Sequence, residues 1–289
     1  MTMATRTITL LLTVALASPY PCIAVADPAA SILSPDGFEV SLFADDDLAH
    51  DIFSLTTNQQ GEVVVSGPGY VRALLDQDHD GQADTFRTFA DSPVTGAQGL
   101  FFDGDHLLCT GDGGLLLYHD QDGDGQSDGP PKRLLALKTG GEHFAHAVAQ
   151  GPDGWWYVML GNLAEIDQQQ VTSLSSAVVE PMAGTLLRIA PDFSSTEVVA
   201  DGYRNPYDFA FHVSGEIFTF DSDGERDVSL PWYRPTRVFQ MMPGTHAGWV
   251  TPNWKRPAYF PDMPAVMADC GRGSPTGVVI YRHRKFPAE

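Results

Sequence analysis

Gly140-Gly141-Glu142-His143-Phe144-Ala145-His146-Ala147-Val148-Ala149-Gln150-Gly151-Pro152-Asp153-Gly154-Trp155-Trp156-Tyr157-Val158-Met159-Leu160-Gly161-Asn162 reads as two β-strands around a tight turn. The first half is small and polar, and Gly151-Pro152-Asp153-Gly154 carries the residues that reverse a chain. Trp155 to Val158 is aromatic and β-branched, which suits a pleated, half-buried surface, so the stretch is a β-hairpin. His143 and His146 precede the turn, three residues apart. On an extended strand that spacing turns them to opposite faces, so at most one looks into a given cavity. Taken as residues alone, one ring faces solvent and the other is a hydrogen-bonded core group.

The same grammar recurs on both sides of the hairpin. Short apolar runs broken by Gly, Pro and Asp extend from Ile52 to Leu75, from Gln98 to Tyr118, from Ala145 to Ile189 and from Tyr207 to Phe220, and no long stretch has helical periodicity. The units start roughly 45 to 60 residues apart, the period of propeller blades with loop insertions. The fold class is therefore all-β, a β-propeller of about four blades. A fifth unit opens at Ser274-Pro275-Thr276-Gly277-Val278-Val279-Ile280-Tyr281, and a truncated ring is expected. Asn162 to Met182 reads as a polar loop inside the third blade.

The N-terminus reads as a targeting segment. Arg6 precedes the apolar run Ile8 to Ala17, too short to span a bilayer, and Ala24-Val25-Ala26 is a cleavage pattern. Residues 1–26 are expected to be a signal peptide cut near Ala26, leaving 27–289 as one exported periplasmic or extracellular domain without an integral membrane segment. The chain has 37 acidic against 17 Lys and Arg residues and a net charge of -20, which excludes nucleic acid as a partner because phosphate neutralisation needs cations. Cys109 and Cys270 can pair in an oxidising compartment or serve as two small hydrophobes.

Two acidic loops repeat one pattern. Asp76, Asp78, Asp80 and Asp84 recur as Asp120, Asp122, Asp124 and Asp128, with Gly81 and Gly125 at the sixth position. Oxygen ligands at positions one, three, five and nine around a sharp glycine turn suit Ca2+, although Arg87 and Pro131 stand where an EF-hand has its bidentate Glu. Asp221, Asp223 and Glu225 form a third candidate cation set. Arg204 and Asn205, side by side before an apolar strand, offer a planar fork and an amide, a pair suited to a ligand with several carboxylate and carbonyl oxygens or to a structural turn.

At His143 eight residues before Gly151-Pro152-Asp153-Gly154, at Gly202-Tyr203-Arg204-Asn205-Pro206, at Asp221-Ser222-Asp223-Gly224-Glu225 and at Gly244-Thr245-His246-Ala247-Gly248-Trp249, the chain resembles the pyrroloquinoline-quinone (PQQ)-dependent glucose and sorbosone dehydrogenases. It looks closest to the large membrane-bound-type dehydrogenase branch of planctomycetes and their relatives. The resemblance implies a six-bladed quinoprotein propeller that oxidises a sugar or related alcohol or aldehyde by hydride transfer to PQQ. It implies His143 as catalytic base, Arg204, Asn205 and Gln98 as cofactor contacts, Ca2+ as a second cofactor, and a cytochrome c-type electron acceptor. The competing reading is a non-catalytic, calcium-stabilised propeller that binds carbohydrate or protein through its loops.

Overall fold

The computed structural model describes residues 31–285; the predicted leader and its cleavage site lie outside them. The chain divides into two units, Met1–Leu42 and Phe43–Glu289. In the first, the Ser34 hydroxyl donates to the Phe38 carbonyl across a turn at Asp36 and Gly37.

The second unit is built of four antiparallel, four-stranded sheets. Blade 1 contains β1 (Ser54–Thr57), β2 (Val63–Gly67), β3 (Tyr70–Leu75) and β4 (Thr85–Ala90). Blade 2 contains β5 (Leu100–Asp103), β6 (His106–Gly111), β7 (Gly114–His119) and β8 (Lys132–Ala136). Blade 3 contains β9 (Ala145–Gln150), β10 (Trp156–Leu160), β11 (Gly184–Ile189) and β12 (Thr196–Tyr203). Blade 4 contains β13 (Phe209–Phe211), β14 (Ile217–Asp221), β15 (Arg237–Met241) and β18 (Val266–Asp269); a small hairpin, β16 (Trp249–Thr251) with β17 (Trp254–Lys255), interrupts it. Every blade pairs its strands in chain order, which is propeller topology.

The cores lie between blades, because each sheet is apolar on both faces and must bury both against neighbours. Aromatic pairs mark each junction. Phe89 meets Phe102 between blades 1 and 2 with centroids 5.7 Å apart, Phe101 meets Trp156 at 5.8 Å between blades 2 and 3, and Tyr157 meets Phe211 at 5.0 Å between blades 3 and 4. All three are edge-to-face, the geometry in which ring quadrupoles attract. Cys109 is buried in the first junction while Cys270 is exposed, and both are free thiols, so the two act separately.

The first strands face a central cavity of ≈ 730 Å³, lined by β1, Gln98, Leu100, Ala147 and Tyr207. Thr276 to Val279, the predicted opening of a fifth unit, lie along the same cavity, and the Val278 N–H donates to Asp208 Oδ2 at 2.9 Å. Among the described residues no helix is long and apolar enough to cross a membrane. The Asn162 to Met182 insertion is less polar in place than its composition suggests: Ala164 and Ile166 are buried, and Val171 and Val178 pack on the core of blades 2 and 3.

Candidate functional site

His143 is not on a strand. The expected strand begins at Ala145, and Gly141 to Phe144 form a turn ahead of it. That turn is tied down from three sides. The Leu163 N–H donates to the His143 carbonyl at 3.1 Å, the Gly161 N–H donates to the Phe144 carbonyl at 2.8 Å, and Asn205 Nδ2 donates to the Glu142 carbonyl at 3.0 Å. Gly161 permits this approach: a Cβ there would collide with Asn205 Oδ1 and sit 2.7 Å from the His143 carbonyl oxygen.

The two histidines separate as expected, with environments set by the turn rather than by strand alternation. His143 is half-buried and lines a cavity of ≈ 410 Å³ with Asn162, Arg204, Glu225, Trp249 and Lys255. His146 is fully buried, stacks on Tyr207 with centroids 3.9 Å apart, and meets Asn205 Oδ1 through Nε2 at 3.0 Å. Burial pulls its pKa down to about 4, so the ring is neutral. Since Asn205 Nδ2 is committed to a carbonyl, its Oδ1 must accept, and Nε2 of His146 carries the hydrogen.

The Arg204-Asn205 corner is fixed by Asp221. β12 ends at Tyr203, and Pro206 has no N–H with which to continue a ladder. The backbone amides of Arg204 and Asn205 both donate to the Asp221 carboxylate, at 3.0 and 2.9 Å. Burial raises the Asp221 pKa, against the lowering effect of these bonds and of Arg237 and Arg204. Behind the corner, Gly202 has φ of +79°, and a Cβ would strike the His246 ring.

In the cavity Arg204 Nη1 donates to Ser222 Oγ at 2.9 Å and Nη2 pairs with Glu225 at 2.7 Å. Lys255 pairs with Asp227 at 2.5 Å. Both cations lie close to the Trp249 indole, the Arg204 guanidinium 5.6 Å and the Lys255 ammonium 4.5 Å from its ring centroid. An indole with two cations near it offers an aromatic surface and positive charge together, which is complementary to a planar ligand carrying carboxylates.

Asn162 joins these parts. One end of its side-chain amide lies 2.6 Å from His143 Nδ1 and 2.8 Å from the Arg204 carbonyl oxygen, and the other lies 3.1 Å from Trp249 Nε1. A carbonyl oxygen only accepts and an indole N–H only donates, so the amide NH2 faces Arg204 and His143 while the oxygen faces Trp249.

Of the residues singled out from sequence, His143, Arg204 and Glu225 converge here. Asn205 is 4% exposed and spent on His146 and the Glu142 carbonyl, so it shapes the turn from behind instead of facing a cofactor. Gln98 lines the central cavity, its amide nitrogen 3.1 and 3.2 Å from the Gly141 and Ala145 carbonyls. Asp221, Asp223 and Glu225 do not form a cation cluster: Asp221 holds the Arg204-Asn205 backbone, Asp223 accepts from the Tyr233 hydroxyl at 2.8 Å, and Glu225 pairs with Arg204. Asn162, Trp249 and Lys255 are site residues that sequence reasoning missed. Asn162 closes the opening stretch and Trp249 the Gly-Thr-His-Ala-Gly-Trp segment, so position in a motif is a usable signal for both; nothing points to Lys255.

The acidic loops fold alike. Carboxylate oxygens of Asp76, Asp78 and Asp84 lie within 4.8 Å of one another, as do those of Asp120, Asp122 and Asp124. Asp80 and Asp124 each accept from the N–H two residues on, of Gln82 and Gln126, at 2.8 Å, and Asp84 and Asp128 accept from the Gln77 and Gln121 N–H at 2.7 and 2.5 Å. At the eighth position the Ala83 N–H donates to the Phe43 carbonyl and the Ser127 N–H to the Phe89 carbonyl, so each loop bonds to the segment beside it. Arg87 reinforces the second contact, donating to the Gly125 carbonyl at 3.3 Å and pairing with Glu62 at 2.6 Å. Asp120 Oδ1 is buried without a partner, as an oxygen meant for a cation would be. Neither loop lines the His143 cavity.

Fold and blade order define a β-propeller, of which the described residues supply four blades. The chain matches the family model DUF7133, a domain of unknown function, over residues 25–289 and belongs to that family. None of the curated proteins compared with the chain matches it. Among solved structures it is similar to the PQQ-bound aldose sugar dehydrogenase of Streptomyces coelicolor, with 17% identity, TM-score 0.54, and coverage of 76% of this chain and 68% of that one. It is also similar to the calcium structure of a Trichoderma reesei carbohydrate-active enzyme of family AA12, with 16% identity, TM-score 0.58, and coverage of 83% and 62%. A Thermus thermophilus structure titled as an oxidoreductase (glucose dehydrogenase) has 20% identity, TM-score 0.52, and coverage of 78% and 71%.

Proposed function

We propose that this chain is an exported quinoprotein-type oxidoreductase of the planctomycete branch, oxidising a sugar or related alcohol at the His143 cavity. The observation that carries the reading is the convergence of His143, Arg204, Trp249 and Lys255 on one ≈ 410 Å³ cavity from three separate stretches of chain. PQQ, a planar tricarboxylate, would supply the two-electron acceptor for the substrate's hydride. The donor set fits it: Arg204 and Lys255 would take its carboxylates, and the Trp249 face would support its plane. Glu225 holds Arg204 in the meantime and would yield it to the ligand. His143 meets the oxygen at the carbon being oxidised, and the half-buried cavity limits the water competing for that oxygen.

Calcium belongs to the two Asp loops in this reading, where it would join each loop to its neighbour rather than act on substrate. The export signal and a cytochrome c-type acceptor complete the proposal.

The test is titration of the calcium-loaded protein with PQQ, followed by cofactor absorbance, beside Arg204→Ala and His143→Ala. Saturable binding, weakened at least tenfold by Arg204→Ala, and substrate-driven reduction of the cofactor that is lost in His143→Ala are expected. A folded protein that binds no PQQ would leave the non-catalytic propeller as the account.

A further inference from the structure

The resemblance makes His143 a base, and a base needs a lone pair on the nitrogen that meets the substrate. The surroundings of His143 specify which nitrogen that is. Nε2 makes no hydrogen bond within the protein and is not among the buried unpartnered atoms, while the ring lines the cavity, so Nε2 is the atom available to a ligand. Nδ1 is taken by Asn162 at 2.6 Å.

The direction of that bond follows from neighbours whose roles are fixed. The Arg204 carbonyl at 2.8 Å requires the adjacent end of the Asn162 amide to be NH2, and the Trp249 indole N–H at 3.1 Å requires the other end to be oxygen. The reverse orientation sets carbonyl against carbonyl and N–H against N–H. The NH2 facing Arg204 is the group facing His143, so Nδ1 must accept. A neutral imidazole that accepts at Nδ1 carries its hydrogen on Nε2.

We infer that Asn162 is a positioning residue that fixes the resting His143 ring in the Nε2–H tautomer, so that it presents a hydrogen-bond donor to the cavity and can take a substrate's hydroxyl proton on Nε2 only after the Asn162 amide has turned over. Use of Nε2 as a base requires the Asn162 amide to turn over, giving up its bonds to the Arg204 carbonyl and to Trp249. A carboxylate at position 162 would accept from Nδ1–H instead, moving the hydrogen to Nδ1 and freeing the Nε2 lone pair. The tautomer depends only on these contacts; its consequence for catalysis rests on the dehydrogenase reading.

The test is long-range 1H–15N correlation of the histidine side chains in the cofactor-free protein, at a pH above which the ring signals stop moving, with His143 assigned by the signals lost in His143→Gln. The expected pattern is a pyrrole-type Nε2 and a pyridine-type Nδ1 for His143, exchanging places in Asn162→Asp. A pyridine-type Nε2 in the wild-type protein overturns the inference, and so does an unchanged pattern in a folded Asn162→Asp variant. The wild-type spectrum decides the tautomer even if the variant fails to fold. In turnover assays with PQQ, Asn162→Asp is expected to raise kcat/KM about tenfold or more by restoring a base, an effect that mere loss of structure cannot mimic. Absence of PQQ binding would remove the dehydrogenase reading and leave the nitrogen assignment standing.

Discussion

His143 with Asn162 and His146 with Asn205 are the same pair of residue types, begun three positions apart, and they run in opposite directions. At Asn162 the amide donates to the ring; at Asn205 it accepts from it. The deciding atoms are backbone carbonyls, those of Arg204 and Glu142, each of which claims one amide NH2 and thereby sets what is left for the ring. The first pair opens on a cavity and the second is sealed under Tyr207. A side-chain pair has no fixed polarity of its own, and the backbone around it assigns one.

The contrast breaks most sharply under mutation. His143→Ala is expected to lower kcat/KM for PQQ-dependent sugar oxidation by about 10²- to 10⁴-fold, the range for a group acting on the reacting oxygen, with little change in melting temperature. His146→Ala should do the reverse. It leaves a cavity in the core and an unpaired Asn205 oxygen, and a loss of about 3 kcal/mol in denaturant unfolding is expected. Equal loss of stability in both variants would erase the distinction.

Acid sharpens it. His146 is held neutral with a pKa of about 4, while an unfolded histidine titrates near 6.5. The unfolded chain therefore binds more protons between those values, so this stability is complete above pH ~6.5 and falls by about 3 kcal/mol as the pH drops to ~4. His246 is also lowered by burial and adds in the same direction, so the His146 share is the difference in slope between wild type and His146→Leu in unfolding experiments at several pH values.

The acidic loops give a smaller effect. Each bonds a turn to the segment beside it, so calcium at 100 times its dissociation constant should add about 2.7 kcal/mol per loop to stability, lost on chelation and read as a fall in melting temperature. Arg87→Met should remove about 1 kcal/mol of that docking, and a matching rise in the calcium concentration needed for half-saturation would place the lesion at the second loop.

The fold was legible because its signals are local. Glycine and aspartate turns between short apolar runs located the blades, and the starts at Ser54, Leu100, Ala145 and Phe209 lie within two residues of the sequence reading. The calcium-like loops repeat one spacing, and their backbones repeat one geometry down to the amide at position eight. His143 and Arg204 were legible through motif position. Their partners were not, because Asn162 meets His143 across 19 residues and Glu225 meets Arg204 across 21. Asp221, Asp223 and Glu225 look like a cation site in one dimension and turn out to be spent on the Arg204-Asn205 backbone, the Tyr233 hydroxyl and the Arg204 guanidinium.

The amino-acid sequence by itself determined an all-β chain of repeated four-stranded units, two oxygen-rich loops and the chemical types available at the site, since turn residues, strand patterning and ligand spacing act over a few neighbours. Only the tertiary structure decided which histidine sees a cavity, which asparagine supports the turn, and which nitrogen of His143 carries the hydrogen. Those outcomes depend on carbonyls and side chains brought together from distant blades, and a hydrogen bond takes its direction from the partners that surround it.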